Sequence, residues 1–395
     1  MTAYFKNIKN GFKPKHYINY VVITLFLIIS IISQPKTSTT TLLANIGLAI
    51  ILAVSLNLVV GFLGELSLGH AGFMCVGAYI GTFISNQIFD AVGSKLVVLI
   101  LTMIIGGLIA AIFGYIVGFS ALRLKGDYLA IVTLAFGEIV RDICKNIPAF
   151  GGAMGLKNPH RYGNNLYIVA FVVALIMLIL IQNLIRSKHG RAITAVRDNE
   201  IAAKAMGINV TYYKLFVFVL SSFFAGVAGV LYGSFNSIIL YGDFSFNKSI
   251  EILVMVVLGG MGSINGSIIA AALITFINTF LQNKLPGDLS ALRLLVYALI
   301  LMVVVIFNNA PALSKYKDKY SLSALYKKIY AKITDKLYAK HPDKKQAIIK
   351  DDSASWSSIP TKIKMDEVLS TDINTSETLP GGNENDIDTE GKRDE

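Results

Sequence analysis

The feature that most constrains the fold of this chain is a series of apolar stretches, each about 20 residues long. A helix of about 20 apolar residues crosses the roughly 30 Å hydrocarbon core of a bilayer. Residues 42–63, 96–122, 166–185 and 213–235 all have this character. Of the 395 residues, 54% are hydrophobic and 15% are charged, a balance too apolar for an ordinary soluble protein. The sequence therefore predicts an all-α, polytopic transmembrane bundle.

Shorter or less apolar segments bring the predicted bundle to about ten helices. Further spans are expected at residues 17–33, 64–85, 128–147 and 292–307, and residues 249–281 are long enough to cross and turn back. The first arm of that last segment is long enough for a full span only if it begins near Ile238. Lysines and arginines close to short loops favour the cytoplasmic side. Ten crossings put both termini, including the C-terminal tail, in the cytoplasm.

The longest polar interruption in this apolar sequence is SKHGRAITAVRDNEIAAKAMGIN, residues 187–209. Residues 191–206 are good helix formers, and Gly207 follows at the place of a C-terminal glycine cap. A solvated connecting loop is one interpretation of such a stretch. Its length and helical order favour a charged, capped helix that is presented to water as a docking surface.

The composition changes after Pro311. Residues 313–350 carry an excess of lysine and an apolar stripe at helical spacing. This pattern predicts a basic amphipathic helix on the anionic inner membrane face, and a basic helix solvated by water is the alternative. Residues 351–395 are acidic and rich in small polar residues, which predicts a disordered tail. The membrane domain is therefore expected to occupy residues 1–312.

The chain lacks the sequence patterns of catalytic and nucleotide-binding sites. It contains no G-x-x-x-x-G-K-[ST] loop, no H-E-x-x-H, no G-x-S-x-G and no Cys/His cluster of metal-ligand spacing. Its two cysteines, Cys75 and Cys144, lie in apolar surroundings and are expected to be packing residues. We therefore expect no catalysis, no metal and no cofactor in this chain. Energy for any transport would come from a partner or from an ion gradient.

Four segments together resemble the permeases of branched-chain amino acid ABC importers, of the LivM type. They are NLVVGFLGELSLGHAGFMCVGAYIG, GDYLAIVTLAFGEIVR, GRAITAVRDNEIAAKAMGI and VLGGMGSINGSIIAA, all between residues 45 and 307. The resemblance implies a permease subunit in the cytoplasmic membrane that carries hydrophobic amino acids. It also implies a second, LivH-like permease subunit, two ATP-binding subunits and an extracytoplasmic substrate-binding protein as partners, and no nucleic acid.

The resemblance further implies roles for two sets of residues. The loop that couples the permease to the ATP-binding subunit would include Gly190, Arg191, Arg197, Asp198, Glu200, Ala203 and Gly207. The translocation path would include Ser67, Gly69, His70, Thr133, Glu138, Gly259 and Gly262. Small residues suit such a path because they let helices break where freed backbone groups line a cavity. For Glu138 an ion pair with Arg141 on the same helix face is an equal alternative, and for His70 a helix-start or packing role is preferred.

Three other functions are to be weighed against this one. Permeases for urea or short amides share the same motifs. A gradient-driven secondary carrier would need buried carboxylates as ion sites and no coupling loop. A membrane-embedded enzyme would need a catalytic cluster, which the sequence does not offer.

Overall fold

The structure, a computed structural model, describes residues 37–284 except 123, 125 and 164, together with residues 299 and 302. Its α-helices are α1 (Thr37–Asn57), α2 (His70–Val92), α3 (Lys95–Ala121), α4 (Asp127–Asn146), α5 (Leu166–Arg186), α6 (Lys188–Asp198), α7 (Glu200–Ala205), α8 (Val210–Phe235), α9 (Phe246–Gly259) and α10 (Ile264–Lys284). The spans predicted at 17–33 and 292–307 and the two tail segments lie outside the described residues.

The all-α, polytopic character predicted from the sequence is confirmed. Within the described part of the chain, five helices are long and apolar enough to cross a membrane: α1 with its continuation to Leu63, α3, α5, α8 and α10. Helix α3 leaves Ile104, Leu108 and Ile112 about half exposed at a spacing of four residues. A stripe of this kind suits contact with lipid. Strands β1 (Leu156–Lys157) and β2 (Ile238–Ile239) form a short antiparallel pair.

Helix α8 makes the most extensive packing contacts of the bundle, against α3 and α2. Its buried face includes Ala225, Ala228 and Gly229. A Cβ atom at Gly229 would collide with the carbonyl oxygen of Met74 on α2. The two backbones approach this closely because small residues remove the side chains between them. One end of α8 adjoins the polar stretch 187–209, named the coupling stretch for its expected role, and the other adjoins β2.

The first helix break follows α1. The helix widens into a π-helix over Leu58–Leu63 and ends at Gly64, whose φ of 82° is left-handed. Residues 65–69 are irregular, and α2 begins at His70. Gly61 therefore lies within a widened turn, and the helix is interrupted at Gly64. π-turns within helices occur frequently at functional sites.

The second break separates α9 from α10. Gly260 and Gly262 have φ values of 90° and 80°, which turn the chain back on itself as the glycine-rich sequence predicts. Helix α9 has 14 residues and is therefore about 21 Å long. It begins at Phe246, because β2 and a 3₁₀ turn at Tyr241–Phe244 occupy the preceding residues. The full-span alternative that begins near Ile238 is thus wrong.

Candidate coupling and translocation site

The polar stretch between α5 and α8 forms two short helices. Asn199 adopts an extended backbone conformation between them, with φ −157°. Its side-chain oxygen accepts a hydrogen bond from the Ala202 N–H at 3.0 Å, so Asn199 is the N-cap of α7. The single helix predicted over residues 191–206 is therefore wrong. The side chain of Asn199 accepts a free backbone N–H in the first turn of α7, and its extended backbone ends α6.

The glycine cap predicted at Gly207 is confirmed. Its φ is 81°, and its N–H donates to the Lys204 carbonyl at 3.1 Å. The Ile208 N–H donates to the Ala203 carbonyl at 3.1 Å. This pair of bonds is a Schellman motif, which fixes the direction of the chain as it enters α8.

The predicted coupling residues divide between an inner and an outer side of this stretch. Gly190 and Ala203 are buried, while Arg191, Arg197, Asp198 and Gly207 are exposed and Glu200 is half-buried. The outer side also carries two apolar side chains that charge-based reasoning missed. Ile201 is 80% exposed and Met206 is 82% exposed. Both side chains are open to contact by a partner.

A buried lysine joins the inner side of the stretch to the first helix break. The Nζ of Lys214, on α8, lies 2.6 Å from Oε1 of Glu65 and 3.2 Å from Oε2 of Glu200. The side chains of Lys214 and Glu65 are only 6% and 12% exposed. Charges this deeply buried are stable only when they are paired and hydrogen-bonded. The cluster therefore ties α7, α8 and the irregular segment after the π-turn together.

Arg197 forms a second tie to the same break. Its Nη1 donates to the Gly61 carbonyl at 3.1 Å, and its Nε and Nη2 donate to Asp198 at 3.0 Å and 2.8 Å. A Cβ atom at Gly64 would lie 2.6 Å from Cγ of Arg197, so the arginine stem rests on that glycine. Coupling residues predicted from the sequence thus contact the broken helix directly.

Asn57 connects the two helix breaks to each other. Its Oδ1 accepts the Gly262 N–H at 2.9 Å. Its Nδ2 donates to the Ser263 carbonyl at 3.1 Å and to Ser267 Oγ at 3.0 Å. Asn57 is fully buried, and its role is hard to recognise from the sequence because it lies inside an apolar run. Of the predicted path residues, Gly262 is held here, and the Gly259 backbone packs against that of Gly266.

Four other predicted path residues form a separate cluster between α1, α2 and α4. Ser67 is buried, and the next residue, Leu68, donates its N–H to Thr133 Oγ1 at 3.0 Å. A Cβ atom at Gly69 would collide with the Thr133 carbonyl oxygen. His70 is the first residue of α2, as its helix-start interpretation expects, and its Nε2 lies 2.8 Å from Ser55 Oγ. Six of the seven predicted path residues therefore fall into two groups, and Glu138 lies apart from both.

Glu138 forms the predicted ion pair, since its Oε2 lies 2.6 Å from Nη1 of Arg141. Its other carboxylate oxygen accepts the Phe246 N–H at 2.8 Å. Phe246 is the first residue of α9, so this carboxylate anchors the start of α9 to α4. The geometry assigns Glu138 a structural contact.

Among the described residues, no group of three His, Cys, Asp or Glu is placed to hold a metal ion. Cys75 and Cys144 are both free and buried. Long apolar helices, two glycine-broken segments and a polar helical loop tied to the first break define the class of the protein. The chain is a multi-pass helical membrane protein.

Comparison with known proteins gives the family. Residues 38–305 match the permease component of branched-chain amino acid transport systems, and the chain belongs to that family, as its LivM-type motifs indicated. It is 34% identical over 308 residues to LivM of Salmonella typhimurium, covering 70% of each chain. It is 35% identical over 292 residues to LivM of Escherichia coli, covering 66% of each chain. It is 28% identical over 277 residues to the ribose import permease RbsC of Haemophilus influenzae, covering 66% of this chain and 81% of that one.

The family is one of transport subunits of the cell membrane that work with other subunits. The match ends at residue 305, so it covers neither residues 313–350 nor residues 351–395.

Proposed function

We propose that this chain is the permease subunit of an ABC importer that moves branched-chain amino acids into the cytoplasm. ATP hydrolysis in partner subunits drives it, and both of its termini are cytoplasmic. One observation carries the proposal: the stretch 187–209 exposes an apolar outer surface while its inner side is tied to a broken helix. A connecting loop with no further role would need neither feature. The names of the LivM relatives support the substrate class.

The outer surface of this stretch is the docking site of the ATP-binding subunit. Ile201 and Met206 provide its apolar part, and the same stretch carries exposed charged residues, including Arg191 and Lys204. A surface that combines apolar and charged side chains on a polar loop suits a folded protein partner better than lipid.

Motion of the docking site reaches the membrane part through the contacts already described. A shift of α6 and α7 acts on the π-turn through Arg197 and on the segment after it through Lys214. Asn57 passes the shift to the turn between α9 and α10. A rigid-body shift at the two helix breaks then switches a central path between outward and inward access.

A gradient-driven carrier would need buried carboxylates that are available to bind ions. Within the described part of the chain, the enclosed carboxylate of Glu65 is paired with Lys214 at 2.6 Å and is therefore not available to an ion. This arrangement favours the importer. Urea and short amides are the alternative substrates within the same class, and competition in an uptake assay separates them from leucine.

The test is uptake of labelled leucine by proteoliposomes that contain this chain with its partner permease, ATP-binding subunits and binding protein. We expect uptake to require internal ATP and to survive ionophores that collapse the proton and sodium gradients. Uptake that needs a gradient but no ATP would overturn the proposal. Unlabelled urea or acetamide that competes as well as leucine would overturn the substrate class.

Docking is tested by co-purification of the ATP-binding subunit. The double substitution Ile201→Ser with Met206→Ser is expected to weaken association at least about tenfold, since apolar anchors dominate such interfaces. Met154→Ser is the matched control, because Met154 is 86% exposed in the loop at the other end of α5. Equal association of the double variant and the control would contradict the docking role.

A further inference from the structure

A cavity of about 150 Å³ lies between α1, α2, α8, α9 and α10, at the end of the bundle away from the coupling stretch. Neither group of predicted path residues lines it. Its polar lining includes Lys248 and Glu251 near the start of α9, and Thr275 and Asn278 on α10. An engineered cavity of about 150 Å³ in another protein accommodates benzene, so a branched aliphatic side chain is of the right size for this one.

The cavity also has an apolar wall. It includes Leu48 and Leu52 of α1, Met74 of α2, and Ile252 and Met255 of α9. Ligand sites generally combine such a wall with a few placed polar groups. This wall would bind an aliphatic group.

The charged rim holds one group of each sign. Lys248 Nζ lies 2.9 Å from Glu251 Oε2, and Glu251 Oε1 accepts a hydrogen bond from Asn278 Nδ2 at 3.3 Å. The two charged side chains are 30% and 16% exposed. A cation alone would be repelled by Lys248, and an anion alone by Glu251. A molecule that carries an ammonium and a carboxylate on one carbon matches both.

A third group on this lining is unsatisfied. Thr275 is 8% exposed, and its hydroxyl has no hydrogen-bond partner among the described residues. A buried hydroxyl without a partner costs free energy, so one in a cavity wall indicates a missing ligand or water.

We infer that this cavity is a transient binding site for a zwitterionic α-amino acid with an aliphatic side chain. Lys248 binds the carboxylate, Glu251 binds the ammonium group, and the apolar wall receives the side chain. The inference rests on the proposed transport function, because the cavity would be a binding site for the transported substrate within this subunit. It goes beyond that function in assigning the residues that recognise the substrate.

A purely structural ion pair is the competing explanation. Replacing buried ion pairs with apolar residues of similar size is often neutral or stabilising, so packing alone does not require these charges in an apolar helix. A structural pair would also tolerate exchange of its two members. A ligand site would not, since exchange reverses the direction in which the amino acid lies and moves its side chain away from the apolar wall.

The experiment uses the complete reconstituted importer and a leucine analogue with a photoreactive diazirine in its side chain. After illumination, labelled peptides are mapped by mass spectrometry. We expect label on the peptides that contain Ile252 and Met255, and its loss when excess leucine is added. Lys248→Met and Glu251→Gln should each lower labelling by about tenfold, as expected for loss of a hydrogen bond to a charged group.

Further variants separate recognition from folding. Exchange of the pair, Lys248→Glu with Glu251→Lys, should restore wild-type yield and elution from a sizing column without restoring labelling. Ala49→Leu, which fills the cavity and leaves both charges in place, should also lose labelling. Lys157→Met and Asp90→Asn remove exposed charges at the same end of the bundle and should label normally.

The outcomes for this site and for the transport function are distinct. An importer that takes up leucine with ATP but is not labelled at the cavity overturns this inference and leaves the proposed function standing. The same holds if the exchanged pair is labelled like the wild type. Labelling that leucine displaces in an importer without ATP-driven uptake supports the site and overturns the proposed function.

Discussion

Replacing Lys214 with methionine tests whether the coupling stretch is held to the broken helix by buried charge. Methionine keeps most of the length and packing of the lysine stem but removes the ammonium group. The substitution leaves Glu65, whose side chain is 12% exposed, as a carboxylate without its lysine. It leaves Glu200 in the same position, but that side chain is 35% exposed and remains solvated.

The expected loss of stability follows from these two exposures. Removing one member of a buried ion pair costs about 3–5 kcal/mol, because the other charge stays buried. An exposed pair contributes about 0–1 kcal/mol. The Glu65 contact therefore dominates, and Lys214→Met should cost about 3–5 kcal/mol. The double variant Lys214→Met with Glu65→Met removes both buried charges and should lie within about 1 kcal/mol of the wild type.

The assay is denaturant-induced unfolding of the purified chain in detergent, with size-exclusion chromatography to check that each variant is monodisperse. Lys204→Met, an exposed lysine on α7, is the matched control and should change stability by less than about 0.5 kcal/mol. A single variant as stable as the wild type would refute the reasoning. So would a double variant as unstable as Lys214→Met alone.

The double variant also separates the effect of this cluster on stability from its proposed role in passing motion from α7 to the broken helix. It keeps the fold but lacks the link between α7 and the segment after the π-turn. In the full importer, we expect substrate-loaded binding protein to stimulate its ATP hydrolysis less than that of the wild type. Undiminished stimulation, with undiminished uptake, would show that Arg197 alone carries the motion.

The remaining predictions concern two glycines and the tail. Gly207→Ala should lower the stability of the fold by about 1 kcal/mol, because alanine disfavours the left-handed backbone there while its surroundings are open. Gly64→Ala should lower it by about 2–4 kcal/mol, because the new methyl group also collides with Arg197. Equal losses of stability in the same unfolding assay would contradict the Arg197 contact. Truncation after Ala312 should leave uptake intact, and a truncated chain that reaches the membrane but fails to transport would show that the tail is functional. An isolated 313–350 peptide should become helical on anionic vesicles and much less so on neutral ones by circular dichroism, each lysine contributing about 1 kcal/mol; equal helicity on both would contradict surface binding.

The parts of the fold that could be predicted depend on residues close together in the sequence. Apolar runs of membrane length predict the spans, and glycines predict the cap at Gly207 and the turn after α9. The prediction of a single helix in the coupling stretch was wrong because two local signals competed there. Residues 191–206 favour one helix by composition, but Asn199 caps a second one.

The contacts that join the coupling stretch to the membrane part were beyond sequence reasoning. Arg197 and Gly61 are 136 residues apart, and Asn57 and Gly262 are 205 apart. No periodicity or motif relates residues at such separations. Ile201 and Met206 belong to a helical pattern whose buried face could be assigned only after α7 was placed against α8.

The shortness of α9 has a consequence for the bilayer itself. At about 21 Å, it falls roughly 9 Å short of the hydrocarbon thickness. We therefore expect the non-helical turn at residues 260–263 to lie within the hydrocarbon depth, where only protein or water can satisfy its peptide groups. In the proposed importer, the distance over which a substrate leaves bulk water beside this helix would then be set by its 14 residues and not by the lipid. Uptake should accordingly be less sensitive to lipid chain length than expected for a protein whose helices all match the membrane.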